Sequence, residues 1–166
     1  MADIKIAYST ASDATITLAS LASDTNLLAG RESASVSNTT DKFLDYLVSG
    51  KITTGTSPTT GRSIQVWAVG SWDGTTWPDV FDGTNSDETI TSANHKNSIC
   101  RLVAEMSTDN NSNRQYDFSS VSLREVFQGS IPPSFVFFVT HNTGVALNAT
   151  AGNHQIRLQP VFETVG

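Results

Sequence analysis

Apolar and polar positions along this chain mostly alternate with a period of two, the pattern of strands rather than helices. Residues 135–141, FVFFVTH, are the most hydrophobic run, and their length and β-branched and aromatic content predict a buried strand. Residues 63–70 predict another. Ile64, Val66 and Ala68 face one way, Gln65, Trp67 and Val69 the other, and both sets are mostly apolar. A strand apolar on both faces belongs in the middle of a sheet or sandwich. Weaker alternation predicts strands over 14–19, 31–37 (Ala34 and Val36 inward), 43–53, 98–107, 116–122 and 154–162. In 43–53, Leu44, Tyr46, Val48 and Ile52 share a face; in 98–107, Cys100, Leu102, Ala104 and Met106 do. The last two strands are expected to approach each other. Helix is confined to a turn within 90–97 and a short segment within 121–127, where Leu123, Val126 and Phe127 fall at helical spacing.

About eight strands with uneven, long connections and no internal repeat predict an all-β fold. The expected architecture is a single-domain β-sandwich of jelly-roll type, with long loops and little helix. A chain of 166 residues suits one such domain. Residues 1–12 read as an N-terminal arm and 13–166 as the sandwich. In the arm, Ile4, Ile6 and Tyr8 alternate with Lys5 and Ala7, a pattern fit to add an edge strand to its own sheet or to a neighbour's.

Composition narrows the partners. The formal net charge is −6, so no basic excess exists to neutralise nucleic-acid phosphates or hold an anionic membrane surface. Docking on a locally basic protein surface remains open. No apolar run approaches the ~18 residues of a membrane-spanning helix, and the first residues lack the apolar segment of a signal peptide. Cys100 is the only cysteine, which excludes an internal disulfide and a thiolate zinc site; it reads as a small buried hydrophobe.

Residues 71–88 change character at once after the second strong strand. They hold five acids (Asp73, Asp79, Asp82, Asp87 and Glu88), no base, and the aromatics Trp72, Trp77 and Phe81. Long ordered loops of this kind are often functional. The acids offer oxygen ligands to calcium, but they do not match the EF-hand spacing, and a solvated turn bonding its own backbone is the preferred reading. Trp72, Trp77 and Phe81 fit either a docking loop on another protein or a cap on their own core, with sugar stacking as a third reading. His141 and His154 stand at the ends of the last two strands; strand-end bonds to turns explain them, as does a metal site if pairing brings them together. No nucleophile elbow, P-loop or dinucleotide fingerprint is present, so no catalytic residue, metal ligand or cofactor is assigned.

Four stretches resemble a family of small structural proteins of tailed bacteriophages: 27–33 (LLAGRES), 48–58 (VSGKITTGTSP), 116–118 (YDF) and 139–148 (VTHNTGVALN). The likeness runs from about Ile16 to Phe162 and carries no catalytic motif. It implies a non-enzymatic head decoration (cement) protein that binds the outside of the phage major capsid protein shell and stabilises the head as a trimer. Such a protein is made in the host bacterial cytoplasm, where a fold without disulfides is expected, and resides on the virion capsid surface. Ile4, Ile6, Tyr8, Trp72, Trp77 and Phe81 are then the expected capsid or inter-subunit contacts. The alternative is a carbohydrate- or calcium-binding module of a phage tail or baseplate.

Overall fold

A computed structural model describes residues 3–166. In chain order the strands are β1 (Ile4–Tyr8), β2 (Ser12–Asp13), β3 (Ala29–Glu32), β4 (Val36–Ser37), β5 (Asp45–Thr53), β6 (Arg62–Ser71), β7 (Asp87–Thr89), β8 (Arg101–Thr108), β9 (Gln115–Ser122), β10 (Ser134–His141) and β11 (Gln155–Val165). Helix α1 (Ala93–Ile99) precedes β8, and the single turn α2 (Leu123–Val126) follows β9. The strands form two antiparallel sheets packed as a sandwich. One runs β1-β11-β5-β9, with β2 also on β11; the other runs β7-β3-β10-β6-β8, with β4 also on β10. Among the principal strands, only β6 to β8 stays within one sheet; every other step along the chain crosses to the opposite sheet.

The two strongest sequence signals become the centre of the second sheet. Strand β10 pairs with β6 along its whole length, from Ser134 opposite Ser71 to His141 opposite Ile64, and each of its residues is buried. The reason lies in its two faces. Phe135, Phe137 and Val139 join Ile64, Val66 and Ala68 in the core between the sheets, with Val48, Ile52, Ile156 and Leu158 opposite. Val136 and Phe138 face the other way into a second core with Val69, Phe81, Ile90 and Cys100. The outer face of this sheet is therefore covered, by the acidic loop and α1. Lys96 fastens the helix: its Nζ donates to Leu27 O (2.7 Å) and Gln65 Oε1 (2.9 Å) and lies over the Trp67 ring.

Three expectations are corrected. The segment 14–19 forms no strand beyond the short β2 that precedes it. Strands β10 and β11 do not approach as partners, since they belong to different sheets. In β8, the pairing shifts between Val66 opposite Ala104 and Trp67 opposite Leu102, so Val103 is an extra residue. That bulge turns Val103 into the main core and leaves Leu102 44% exposed. A one-residue insertion inverts the faces on one side of it, which period-two alternation cannot foresee.

Candidate functional site

The chain's first strand lies along its own last strand, Ile4 opposite Val165 through Tyr8 opposite Val161. Strand β5 ends its pairing with β11 at Asp45 opposite Val161. Residues 4–7 and 162–165 thus continue past the sheet as a two-stranded ribbon. Glu163, opposite Ile6, shares the face on which alternation places Ile4, Ile6, Tyr8 and Val165. Ile4, Ile6, Tyr8 and Val165 are 70%, 57%, 58% and 71% exposed, respectively. The outer edge of β1 has no strand beside it among the described residues, so its main-chain groups are open for pairing. Within the arm expected over residues 1–12, Ile4–Tyr8 form an edge strand of the chain's own sheet and Ser12 opens β2; residues 1 and 2 lie outside the described residues.

Trp72 follows directly on β6 and is 78% exposed. Its loop is set by Asp73, whose Oδ1 accepts the N–H groups of Thr75 and Thr76 (2.8 and 2.6 Å) while Oδ2 takes the Thr76 hydroxyl (2.6 Å). The Thr76 bonds, with those from Thr75 and Ser71, hold the Asp73 carboxyl far below the usual carboxylate range. Gly74 at φ 84° then packs near Ser134, Pro133 and Thr39. The Trp72 loop and the ribbon stand at the same end of the sandwich. Asn38 links the two sides: its N–H reaches Pro133 O, its Oδ1 accepts Phe43 N (2.8 Å) and the Tyr46 hydroxyl (3.2 Å), and the Phe43 ring packs on Phe162. Among the described residues, six of the seven exposed large apolar side chains, Ile4, Ile6, Tyr8, Leu44, Trp72 and Val165, gather at this end. The opposite end carries Thr-, Asn- and Ser-rich turns.

The other two loop aromatics behave differently. Trp77 is half-buried, with its indole packed over Gly83 at φ 81°. Phe81 is 5% exposed and meets Phe138 edge-on at 5.5 Å between centroids. It is a core residue, and the expectation that it contacts a partner is corrected: its loop folds back to cover the outer face of β10.

The loop acids are largely engaged by the protein's own donors, inside the loop and beyond it. Asp79 takes the N–H and hydroxyl of Thr91, Asp82 those of Thr84, and Asp87 pairs with Arg31 at 2.9 Å. Sequence reasoning missed Glu32. It lies on β3, fully buried, and its two oxygens accept Gly83 N (2.7 Å) and Asp82 N (3.3 Å). Burial, the largest influence, pushes its carboxyl up to about 7 against the pull of those N–H groups, with Asp82 and Glu88 adding repulsion. Carboxylate oxygens of Glu32, Asp82 and Glu88 lie within 4.8 Å of one another. Hard cations such as calcium suit oxygen donors, but the Glu32 oxygens and one oxygen each of Asp82 and Glu88 already accept protein hydrogen bonds.

The histidines serve turns and a cap. His141 is fully buried between the Thr143 hydroxyl and Leu21 O (3.0 and 3.1 Å), and burial lowers its pKa. His154 bonds Asn148 O at 2.8 Å. Ser92 Oγ lies 3.0 Å from His95 Nδ1, but the same oxygen accepts His95 N as the N-cap of α1, and among the described residues no carboxylate bonds the ring. No family model matches this chain, and no curated protein matches it.

Proposed function

We propose that this protein is a non-enzymatic structural protein of a tailed-bacteriophage particle. In this reading it binds the outside of the major capsid shell as a decoration protein and works as a trimer. The observation that carries it is the single apolar end: the ribbon face of Ile4, Ile6, Tyr8 and Val165, joined by Leu44 and Trp72. Exposed apolar side chains collected on one region of a small domain mark an interaction surface, and aromatic anchors supply much of the energy at such surfaces. The unpaired edge of β1 adds main-chain donors and acceptors for a neighbouring strand. Trp77 and Phe81 act one step back, holding the Trp72 loop on the sandwich.

The strand order supports a jelly-roll reading. Numbering the principal strands along the chain, the sheets run first, eighth, third, sixth and second, seventh, fourth, fifth, the arrangement two interleaved Greek keys require. Two-sided burial of β10 and the absence of any need for a disulfide suit a rigid module that folds in a reducing cytoplasm.

Sedimentation equilibrium tests the association. The wild type is expected to be a trimer and Ile6→Asp, which sets a second negative charge on the ribbon face opposite Glu163, a monomer. A wild-type monomer that binds glycans would overturn the decoration reading. Trp72 also favours that second reading, a carbohydrate-binding module of a tail or baseplate, because an exposed indole face is suited to a pyranose ring. A glycan array separates the two: no glycan is expected to bind the wild type, and one lost in Trp72→Ala supports the alternative.

A further inference from the structure

A cleft of about 510 Å³ opens between the turn preceding β5 and the connection from α2 to β10. Its apolar walls include Phe43, Leu44, Ile131 and Pro133, and Lys42 and Arg124 stand in the same lining. No acidic side chain lines it. Two cations thus share a cleft whose own lining carries no carboxylate, although Asp41 and Glu125 adjoin them along the chain. Neither forms an ion pair among the described residues. Asp45, on the neighbouring strand, is engaged otherwise: its Oδ1 accepts Tyr46 N and Arg124 N (2.7 and 2.8 Å), and its Oδ2 accepts the Ser122 hydroxyl (2.6 Å). The guanidinium is oriented by its Nε, which donates to Gly129 O at 2.9 Å; among the described residues its two terminal nitrogens have no acceptor.

The cleft is also preformed. Lys42 has φ 52°, a left-handed conformation that costs a non-glycine residue energy. It is held there by Asn38, whose O accepts Lys42 N and whose side chain grips both main-chain groups of Phe43. The Phe43 ring is wedged between Tyr46 and Phe162. The volume falls within the range of small-ligand pockets.

We propose that this cleft binds a carboxylate carried on an apolar body, with Arg124 and Lys42 pairing the carboxylate and Phe43, Leu44, Ile131 and Pro133 packing the apolar part. The planar guanidinium fork suits a planar carboxylate, and the apolar walls favour such a ligand over a free inorganic anion. The assignment does not depend on the capsid reading. Two sources present this chemistry: a free small-molecule acid, or an acidic side chain flanked by apolar ones on a partner protein.

Amide-resonance titrations of the whole chain with hexanoate, hexylamine and acetyl-Leu-Glu-Leu-amide test it. Hexanoate or the peptide is expected to shift Phe43, Leu44 and Ile131 saturably. Lys42→Gln and Arg124→Gln are each expected to weaken that binding about tenfold, the loss of one charge-assisted contact. Whichever acid saturates at the lower concentration names the source. Equal shifts with hexylamine, unchanged binding by both variants, or no shift with either acid would overturn the proposal.

Discussion

Phe81 sets its ring edge-on against Phe138, 5.5 Å between centroids and 84° between planes, and so ties the acidic loop to the most buried strand of the fold. Nine residues earlier Trp72 stands 78% exposed. Two aromatics of one loop therefore do opposite things. Phe81→Ala is expected to destabilise the protein by about 3–5 kcal/mol, the range for truncating a buried ring. Trp72→Ala, with no packing to lose, is expected to change stability by no more than about 0.5 kcal/mol. Urea unfolding measures both; equal losses would contradict the division.

Glu32 gives the chain a pH dependence of definite sign. Its carboxyl is raised from 4.5 to about 7 in the fold. The folded state therefore binds this proton more tightly than the unfolded chain, and stability from this group is full below pH 4.5 and lost as pH rises to about 7. The size is on the order of 3 kcal/mol, at 1.36 kcal/mol per pH unit. Glu32→Gln removes the titration. The difference in unfolding free energy between wild type and variant, followed by urea titration across that window, is expected to move in the variant's favour as pH rises. A constant difference would sink the assignment.

Much of the sandwich was legible because its central strands are apolar on both faces. The 63–70 and 135–141 runs announced β6 and β10 by composition alone. What covers their outer face was legible only as one of several readings of Trp72, Trp77 and Phe81; the loop is mostly polar and acidic, and which of its aromatics cap the core depends on contacts far along the chain. Glu32 escaped for the same reason: a carboxylate on a four-residue strand reads as exposed until Gly83, fifty-one positions on, donates to it. The face of Leu102 was misassigned because the Val103 bulge breaks the period. Of the candidate surface, Ile4, Ile6, Tyr8 and Trp72 could be named from the sequence. Their gathering at one end, with Leu44 and Val165, required the topology.

Asn38 is 8% exposed and closes the turn that joins the ribbon side to the Trp72 side. Asn38→Ala orphans Phe43 N and O together with the Tyr46 hydroxyl. The expected cost is about 1–3 kcal/mol, the penalty for unsatisfied buried groups. Amide hydrogen exchange should accelerate over residues 39–44 beyond the global change. Uniform acceleration across the chain would show that Asn38 supports the fold in general rather than this turn.

The central claim, that the apolar end is the surface through which the protein assembles with its copies and on the capsid shell, is tested most directly by co-sedimentation with purified expanded heads of the cognate phage lacking decoration protein. The wild type is expected to pellet saturably with heads, and the Ile6→Asp, Trp72→Ala double variant, folded by circular dichroism, to stay in the supernatant. A wild type that remains in solution at every head concentration, or a double variant that pellets as the wild type does, would contradict the account.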